Sequence, residues 1–314
     1  MKKLIALVLV CIFALTMFAA CGGADSATNS PNSQNSPNSP TPAVQNNLAL
    51  PATQTSPADN FDASRVIAVF TREDGSGTRD AFVSITGVGG DMYVEAVVES
   101  ETNQILTKVE ENEYAISYVS VGSLNPKVKA LDIDGITPSD TTIMDGSYTL
   151  QRPLLVCVNA ENQSNGLVED FIAFMLSSEG QDISATKWTK IDTNAPTYSP
   201  SGLSGTLKVG GSTSVEPLMQ ALSQAYKGHN PGVEVEISGG GSGTGISEAT
   251  SGIINIGMSS RALKDGEKEA LTDYEIALDG VAVIVNPANP IAGVTIDQVK
   301  DIFTGEITRW SDVG

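Results

Sequence analysis

Thr71-Arg-Glu-Asp-Gly-Ser-Gly-Thr-Arg79 stands between a short β-branched run, Arg65-Val-Ile-Ala-Val-Phe70, and a helix-like segment that starts at Arg79. Two further glycine-and-hydroxyl clusters, Gly210-Gly-Ser-Thr-Ser214 and Gly239-Gly-Gly-Ser-Gly-Thr-Gly245, occupy the same kind of junction. A strand that turns into a helix through glycines leaves several backbone N–H groups convergent and unpaired, and the helix dipole adds roughly half a positive charge there. Ser and Thr hydroxyls add donors with little bulk. The three junctions predict an alternating α/β chain that cradles a small oxyanion.

The flanking segments keep the alternation. After the first cluster the spacing predicts helices over 103–111 and 166–176 and strands over 115–121, 128–133 and 154–158. A polar break over 194–204 contains two prolines and no periodicity. Beyond it come a strand over 206–209, a helix over 215–227 and a strand over 233–237. The third cluster leads into another helix, then a strand over 253–256, an apolar run over 276–285 and a helix over 296–303. Two α/β lobes follow from this order, assigned to residues 65–200 and 201–314.

The chain has 314 residues, with 18 Lys and Arg against 37 Asp and Glu, for a formal charge of −19. No basic surface for nucleic acid or anionic lipid can be built from this balance. A buried anion site is still compatible with it, because remote charges are screened within about 8 Å at physiological salt. Lys2 and Lys3 precede an apolar run from Leu4 to about Leu15 and the sequence Phe18-Ala19-Ala20-Cys21. That is an export signal over 1–20, too short for a stable membrane span. It resembles a bacterial lipoprotein cleavage site with Cys21 as the lipidated, palmitate-bearing residue, although Phe18 replaces the usual aliphatic side chain. An ordinary secretory signal with an incidental cysteine is the alternative. Residues 21–64 are rich in Ser, Asn and Pro and read as a disordered tether, or alternatively as a glycosylated stalk. Cys11 leaves with the signal and Cys21 carries lipid, so Cys157 remains as the single thiol, expected to be a small core residue.

Enzymatic chemistry finds little support. The single histidine, His229, lies in a hydrophilic turn, no G-x-S-x-G elbow surrounds Ser76, Ser212 or Ser242, and the third cluster lacks the lysine of a P-loop. One histidine and one mature thiol cannot close a zinc site, so no metal and no cofactor are expected. Arg72 is the residue suited to an anion: its planar fork pairs with two oxygens and stays charged. It stands four residues before Ser76-Gly77-Thr78, so one turn can present a guanidinium, hydroxyls and free amides together. A glycine turn with an ordinary N-cap and a surface arginine is the plainer alternative for that turn taken alone.

Six segments carry a resemblance: Arg72 to Phe82, Gly210 to Leu218, Gly240 to Gly245, Ile256 to Arg261, Asp279 to Pro287 and Phe303 to Trp310. Together they resemble the phosphate-binding lipoproteins of bacterial phosphate ABC transporters. The resemblance implies a two-lobe periplasmic-binding-protein fold with a hinge, and phosphate clamped between the lobes. Carried over residue by residue, it implies contacts from Arg72, Ser76, Gly77 and Thr78 on one lobe and from Thr213, Ser214, Ser242 and Ser260 on the other. Well-known members have an aspartate where Ser260 stands; that acid accepts the proton of hydrogen phosphate and repels sulfate. Ser260 can accept or donate, so the preference for phosphate over sulfate is less secured here; Asp74, Asp80 or another acid is left open as the compensating group.

The order of the segments departs from the family, so the chain looks circularly permuted, its former termini joined through Pro196 to Ser204. The alternative is a piece of a longer tandem protein. The function implied is a monomeric solute-binding lipoprotein on the extracytoplasmic face of the cell membrane, delivering inorganic phosphate to permease subunits, without enzymatic activity. A surface-anchored phosphate sensor or adhesion scaffold, and a phosphate-ester hydrolase, are the other readings.

Overall fold

The computed structural model describes residues 61–313. The expected export signal, Cys21 and nearly all of the tether lie outside the described residues. The folded body begins before Arg65, because Phe61 packs against the rings of Tyr114 and Trp310, 5.1 and 6.2 Å away.

One mixed sheet organises the molecule. Its strands are β1 (Ala68–Arg72), β2 (Val97–Glu99), β3 (Ala115–Ser120), β4 (Lys129–Ala130), β6 (Gln151–Asn159), β7 (Gly205–Gly211), β8 (Val233–Gly239), β9 (Ile256–Ser259) and β10 (Leu271–Val285). Two short strands, β5 (Asp132–Ile133) and β11 (Gly293–Val294), pair separately. The spatial order is β2-β1-β3-β10-β6-β9-β7-β8, with β4 also on β10. The helices are α1 (Gly77–Thr86), α2 (Thr102–Glu111), α3 (Asp140–Met144), α4 (Ala160–Gln163), α5 (Gly166–Met175), α6 (Ser178–Ser184), α7 (Glu216–His229), α8 (Ser242–Thr250), α9 (Asp265–Lys268) and α10 (Ile296–Thr304).

Strand β10 explains how one sheet serves two lobes. Its first part pairs antiparallel with β6 over Leu271 to Gly280, and its last five residues pair antiparallel with β3. In that last stretch Val281, Val283 and Val285 face one apolar layer with Phe82, Tyr118 and Phe303, while Ala282 and Ile284 face another with Phe70, Ile105 and Val109. Alternation with both faces apolar is what a strand covered by helices on two sides requires. Strand β6 does the same in the other lobe: Leu154, Val156 and Val158 join Phe171, Leu218 and Ile256, whereas Leu155 and Cys157 join Ile246 and Ala249.

The two pairs of core layers therefore divide the chain near Gln151 on β6 and near Gly280 on β10. One lobe holds residues 61–150 with 281–313, and the other holds the chain between them. The expected boundary at 200/201 coincides with neither crossing. The polar break that suggested it is fastened to the second lobe: Tyr198 packs on Phe174 at 5.1 Å and donates its hydroxyl to Asp170 at 2.7 Å.

Local details also shift. Helix α1 starts at Gly77 rather than Arg79, with Ser76 as its N-cap accepting from the Arg79 amide, so Gly77 and Thr78 occupy the first turn. The expected strand over 253–256 is a turn: Gly252 has φ +72° and Ile253 is exposed, and β9 begins only at Ile256. The run 128–133 splits into β4 and β5, and β10 starts five residues before the expected apolar run, at Leu271.

Candidate functional site

The three glycine-and-hydroxyl junctions converge where the lobes meet. On the first lobe, β1 ends at Arg72 and the chain turns through Gly75, at φ +88°, into α1. Tyr118 on β3 fixes the end of β1: its hydroxyl bonds Thr71 Oγ1 at 2.7 Å and accepts from the Arg72 amide at 3.2 Å. The Tyr118 ring stacks on Phe82 of α1 at 4.0 Å, and burial pushes its phenol up, so it remains a neutral support.

On the second lobe, β7 leads through Ser212-Thr213-Ser214 to α7, β8 leads through Gly239-Gly240-Gly241 to α8, and β9 ends at Ser259 before Ser260 and Arg261. Helix α8 begins inside the third cluster, at Ser242. Its glycines admit close packing: a side chain at Gly245 would lie 2.5 Å from the Gly210 carbonyl oxygen.

Between these surfaces the side chains form a cage of hydroxyls. Thr78 Oγ1 and Ser214 Oγ are 2.8 Å apart across the lobes. Ser212 donates to Ser260 at 2.9 Å, and the Ser260 amide donates to Ser242 Oγ at 3.1 Å. Arg72 Nη2 donates to Thr213 Oγ1 at 3.1 Å and its Nη1 to Thr102 Oγ1 at 3.2 Å. Gly77 leaves no room for a side chain in the cage: a β-carbon there would fall 2.2 Å from Ser242 Oγ and 2.8 Å from Ser260 Oγ. The Gly243 amide donates to the Gly75 carbonyl at 2.9 Å, so backbone joins backbone between the lobes. Arg72, Ser76, Thr78, Ser212, Ser214, Ser242 and Ser260 are all buried.

All eight residues singled out in the sequence, Arg72, Ser76, Gly77, Thr78, Thr213, Ser214, Ser242 and Ser260, lie in these facing turns. Ser212 and Thr102 were missed as members. Ser212 stood inside a quoted cluster; Thr102, the first residue of α2, had no local signature. A polar cleft of about 740 Å³ opens beside the cage, bordered by Glu73, Thr102, Lys187, Glu216 and Gly240; of the eight residues only Thr213 lines it.

Charge around the cage is paired. Arg72 binds Glu73 through Nε and Nη2, at 2.8 and 2.9 Å. Asp80 on α1 accepts from Arg261 Nε at 2.8 Å across the lobes, and Arg261 also grips Glu267 at 2.7 and 2.9 Å. Asp74 points to solvent with Arg79, 2.6 Å away. Neither acid takes the place that an aspartate at 260 would have: no hydroxyl of the cage donates to a carboxylate. The arrangement gathers hydroxyls and helix-start amides beside one guanidinium, which Glu73 pairs at 2.8 and 2.9 Å. Among the described residues no cluster of metal-ligating side chains exists.

A fold of two α/β lobes joined by paired crossing strands, with a cage of hydroxyls between them, is that of the bilobal solute-binding proteins. The sequence profile of the PBP superfamily domain matches residues 51–179 and 196–314. Phosphate-binding protein PstS 2 of Streptococcus pneumoniae TIGR4 is 42% identical over 267 residues, covering 82% of this chain and 91% of that protein. A crystal structure of a phosphate ABC transporter phosphate-binding protein from Streptococcus pneumoniae TIGR4 superposes with a TM-score of 0.66 at 41% identity, covering 80% of this chain and all of that one. Phosphate-binding protein PstS of Bacillus subtilis is 35% identical over a shorter stretch, 35% of this chain and 38% of that protein. The chain belongs to the PBP superfamily and, within it, to the family of the PstS 2 phosphate-binding proteins.

Proposed function

We propose that this protein captures inorganic phosphate between its lobes and delivers it to the permease of an ABC transporter. The observation that carries the reading is the buried cage of hydroxyls closed over Gly77 by contacts from both lobes. Stripping water from phosphate is costly, and many small donors fixed in place offset it. The anion enters with the lobes apart; the turn at Arg72 to Thr78 then meets Thr213, Ser214, Ser242 and Ser260, and the hinge strands β6 and β10 flex. Hydroxyls can accept the proton of hydrogen phosphate as well as donate, which is the part left to Ser260.

Capture proceeds without covalent chemistry. His229 pairs with Glu179 at the opposite end of α7 from Ser214, roughly 20 Å away along the helix axis. Burial pushes the Cys157 thiol up to about 12, so no thiolate is available at neutral pH.

No helix among the described residues is long and apolar enough to cross a membrane. We propose attachment through lipid on Cys21, with the Ser/Asn/Pro-rich segment as tether and a monomeric body working on the extracytoplasmic face. The circularly permuted order is proposed as well; it would account for the match to the Bacillus protein covering only about a third of each chain while the PstS 2 match runs almost end to end.

Calorimetric titration with phosphate tests the reading. Arg72→Ala is expected to weaken binding at least about tenfold, since charged hydrogen bonds are worth about 1.5–3 kcal/mol each. Unchanged affinity would refute the site, and turnover of a chromogenic phosphate ester that disappears in Ser76→Ala would replace capture by hydrolysis.

A further inference from the structure

The two strands that cross between the lobes are tied by a buried ion pair. Arg152, the second residue of β6, stands directly opposite Asp279 of β10 in the antiparallel register. Its Nε and Nη2 both donate to Asp279 Oδ2, at 3.0 and 2.8 Å, and the two side chains are 2% and 0% exposed. Asp279 Oδ1 accepts from Ser120 Oγ at 2.9 Å, which in turn accepts from the Trp188 indole at 3.4 Å. The pair thus joins the end of β3 in one lobe to the crossing point itself.

Burying such a pair is expensive, and apolar residues of the same volume commonly give equal or greater stability. Fold stability is therefore a weak reason for its presence. The remaining donor supplies a better one. Arg152 Nη1 reaches the carbonyl oxygen of Ser260 at 3.2 Å. The same residue's amide and hydroxyl belong to the cage: the amide donates to Ser242 Oγ, and the hydroxyl accepts from Ser212. A peptide unit whose carbonyl is held by a fixed guanidinium cannot rotate freely, so the turn after β9 inherits its orientation from the hinge.

We infer that Arg152 is a positioning residue of the anion site: clamped at the hinge by Asp279, it holds the Ser260 carbonyl and so sets Ser260 in the cage. The inference rests on the anion-capture reading above. It makes the hinge and the cage one connected unit, in which the register of β6 against β10 decides where Ser260 stands.

The test uses the full-length chain with inorganic phosphate as the probe, and pairs calorimetry with thermal unfolding and amide hydrogen exchange. The double variant Arg152→Met/Asp279→Leu replaces the pair by apolar side chains. It is expected to unfold near the native temperature, yet to bind phosphate at least about tenfold more weakly, with faster exchange at the Ser260 and Arg261 amides. Arg152→Lys keeps a charge for Asp279 but lacks the fork that reaches both partners. It is expected to show the same loss of affinity, which covers the case in which the double variant fails to fold. Native affinity and native exchange at Ser260 in either folded variant would overturn the inference. Should the native chain itself take up no phosphate, the capture reading fails, and the exchange rates still decide whether Arg152 holds Ser260.

Discussion

Two clusters of convergent hydroxyls sit in the second lobe, and they differ in one respect. At the foot of α7, Tyr198, Ser201 and Tyr226 all donate to Oδ2 of Asp170, at 2.7, 2.8 and 2.6 Å, and Asn230 donates to the Tyr198 hydroxyl at 2.7 Å. At the head of the same helix, Ser212, Ser214, Ser242 and Ser260 bond to one another and to Thr78, and none donates to a carboxylate. The first cluster has its anion in the chain and is complete as architecture; it fastens the polar break over 194–204 to the lobe. The second has no carboxylate acceptor and is joined across the cleft by Thr78 through Ser214, with Arg72 reaching the neighbouring Thr213. Hydroxyl density alone therefore does not single out a candidate site; the candidate is the cluster whose hydroxyls have no carboxylate acceptor and which lies where the two lobes meet.

The comparison can be broken at its sharpest point by Gly77→Ala. The added methyl would lie 2.2 Å from Ser242 Oγ, so the lobes must part. Phosphate affinity is expected to fall on the order of 100-fold, as overpacking costs about 1–3 kcal/mol or more, while the melting temperature stays near native. Calorimetry beside thermal unfolding reads both. Asp170→Ala should do the reverse. It leaves three hydroxyls without their acceptor, at about 2–3 kcal/mol, which lowers the melting temperature by roughly 5–10 °C and leaves phosphate affinity unchanged. A drop in affinity there would erase the distinction between the two clusters.

A smaller effect is expected at the rim. Asp80→Asn removes the interlobe ion pair with Arg261 at 2.8 Å, and phosphate should dissociate about two- to fivefold faster at low salt, with the difference shrinking at high salt. Stopped-flow release at two ionic strengths measures it. Smallest is a pH effect. The hydrogen bonds from Arg261 hold the Glu267 carboxyl below its ordinary value of 4.5. A depressed carboxyl contributes stability that is fully present above 4.5 and is lost as pH falls through the lowered value. Glu267→Gln should flatten that part of the acid unfolding curve.

Much of the cage was legible because its chemistry is local. A strand, two or three glycines, a hydroxyl and a helix start occur within nine residues of Thr71, and each feature has a backbone reason that no distant contact can change. What was illegible depends on partners far along the chain. Thr102 reaches Arg72 only because α2 begins beside the end of β1, and nothing around Glu101-Thr102-Asn103 announces it. Arg152 looks like one charge between Gln151 and Pro153 until β10 is laid against β6. The lobe boundary was misplaced for the same reason. Composition points to the polar stretch over 194–204, yet the crossings run inside two strands, at Gln151-Arg152 of β6 and Asp279-Gly280 of β10, where no linker composition marks them. Ile253 shows the limit of reading apolar pairs as strand: Gly252 turns the chain, and Ile253 is left 65% exposed.

The most direct measurement is a calorimetric titration of the full-length chain, stripped of ligand, with inorganic phosphate at neutral pH, run beside Gly77→Ala. The expected result is one phosphate taken up per native chain and a loss of that heat in the variant. No uptake by the native chain, or uptake that the variant leaves intact, would contradict a phosphate cage closed over Gly77.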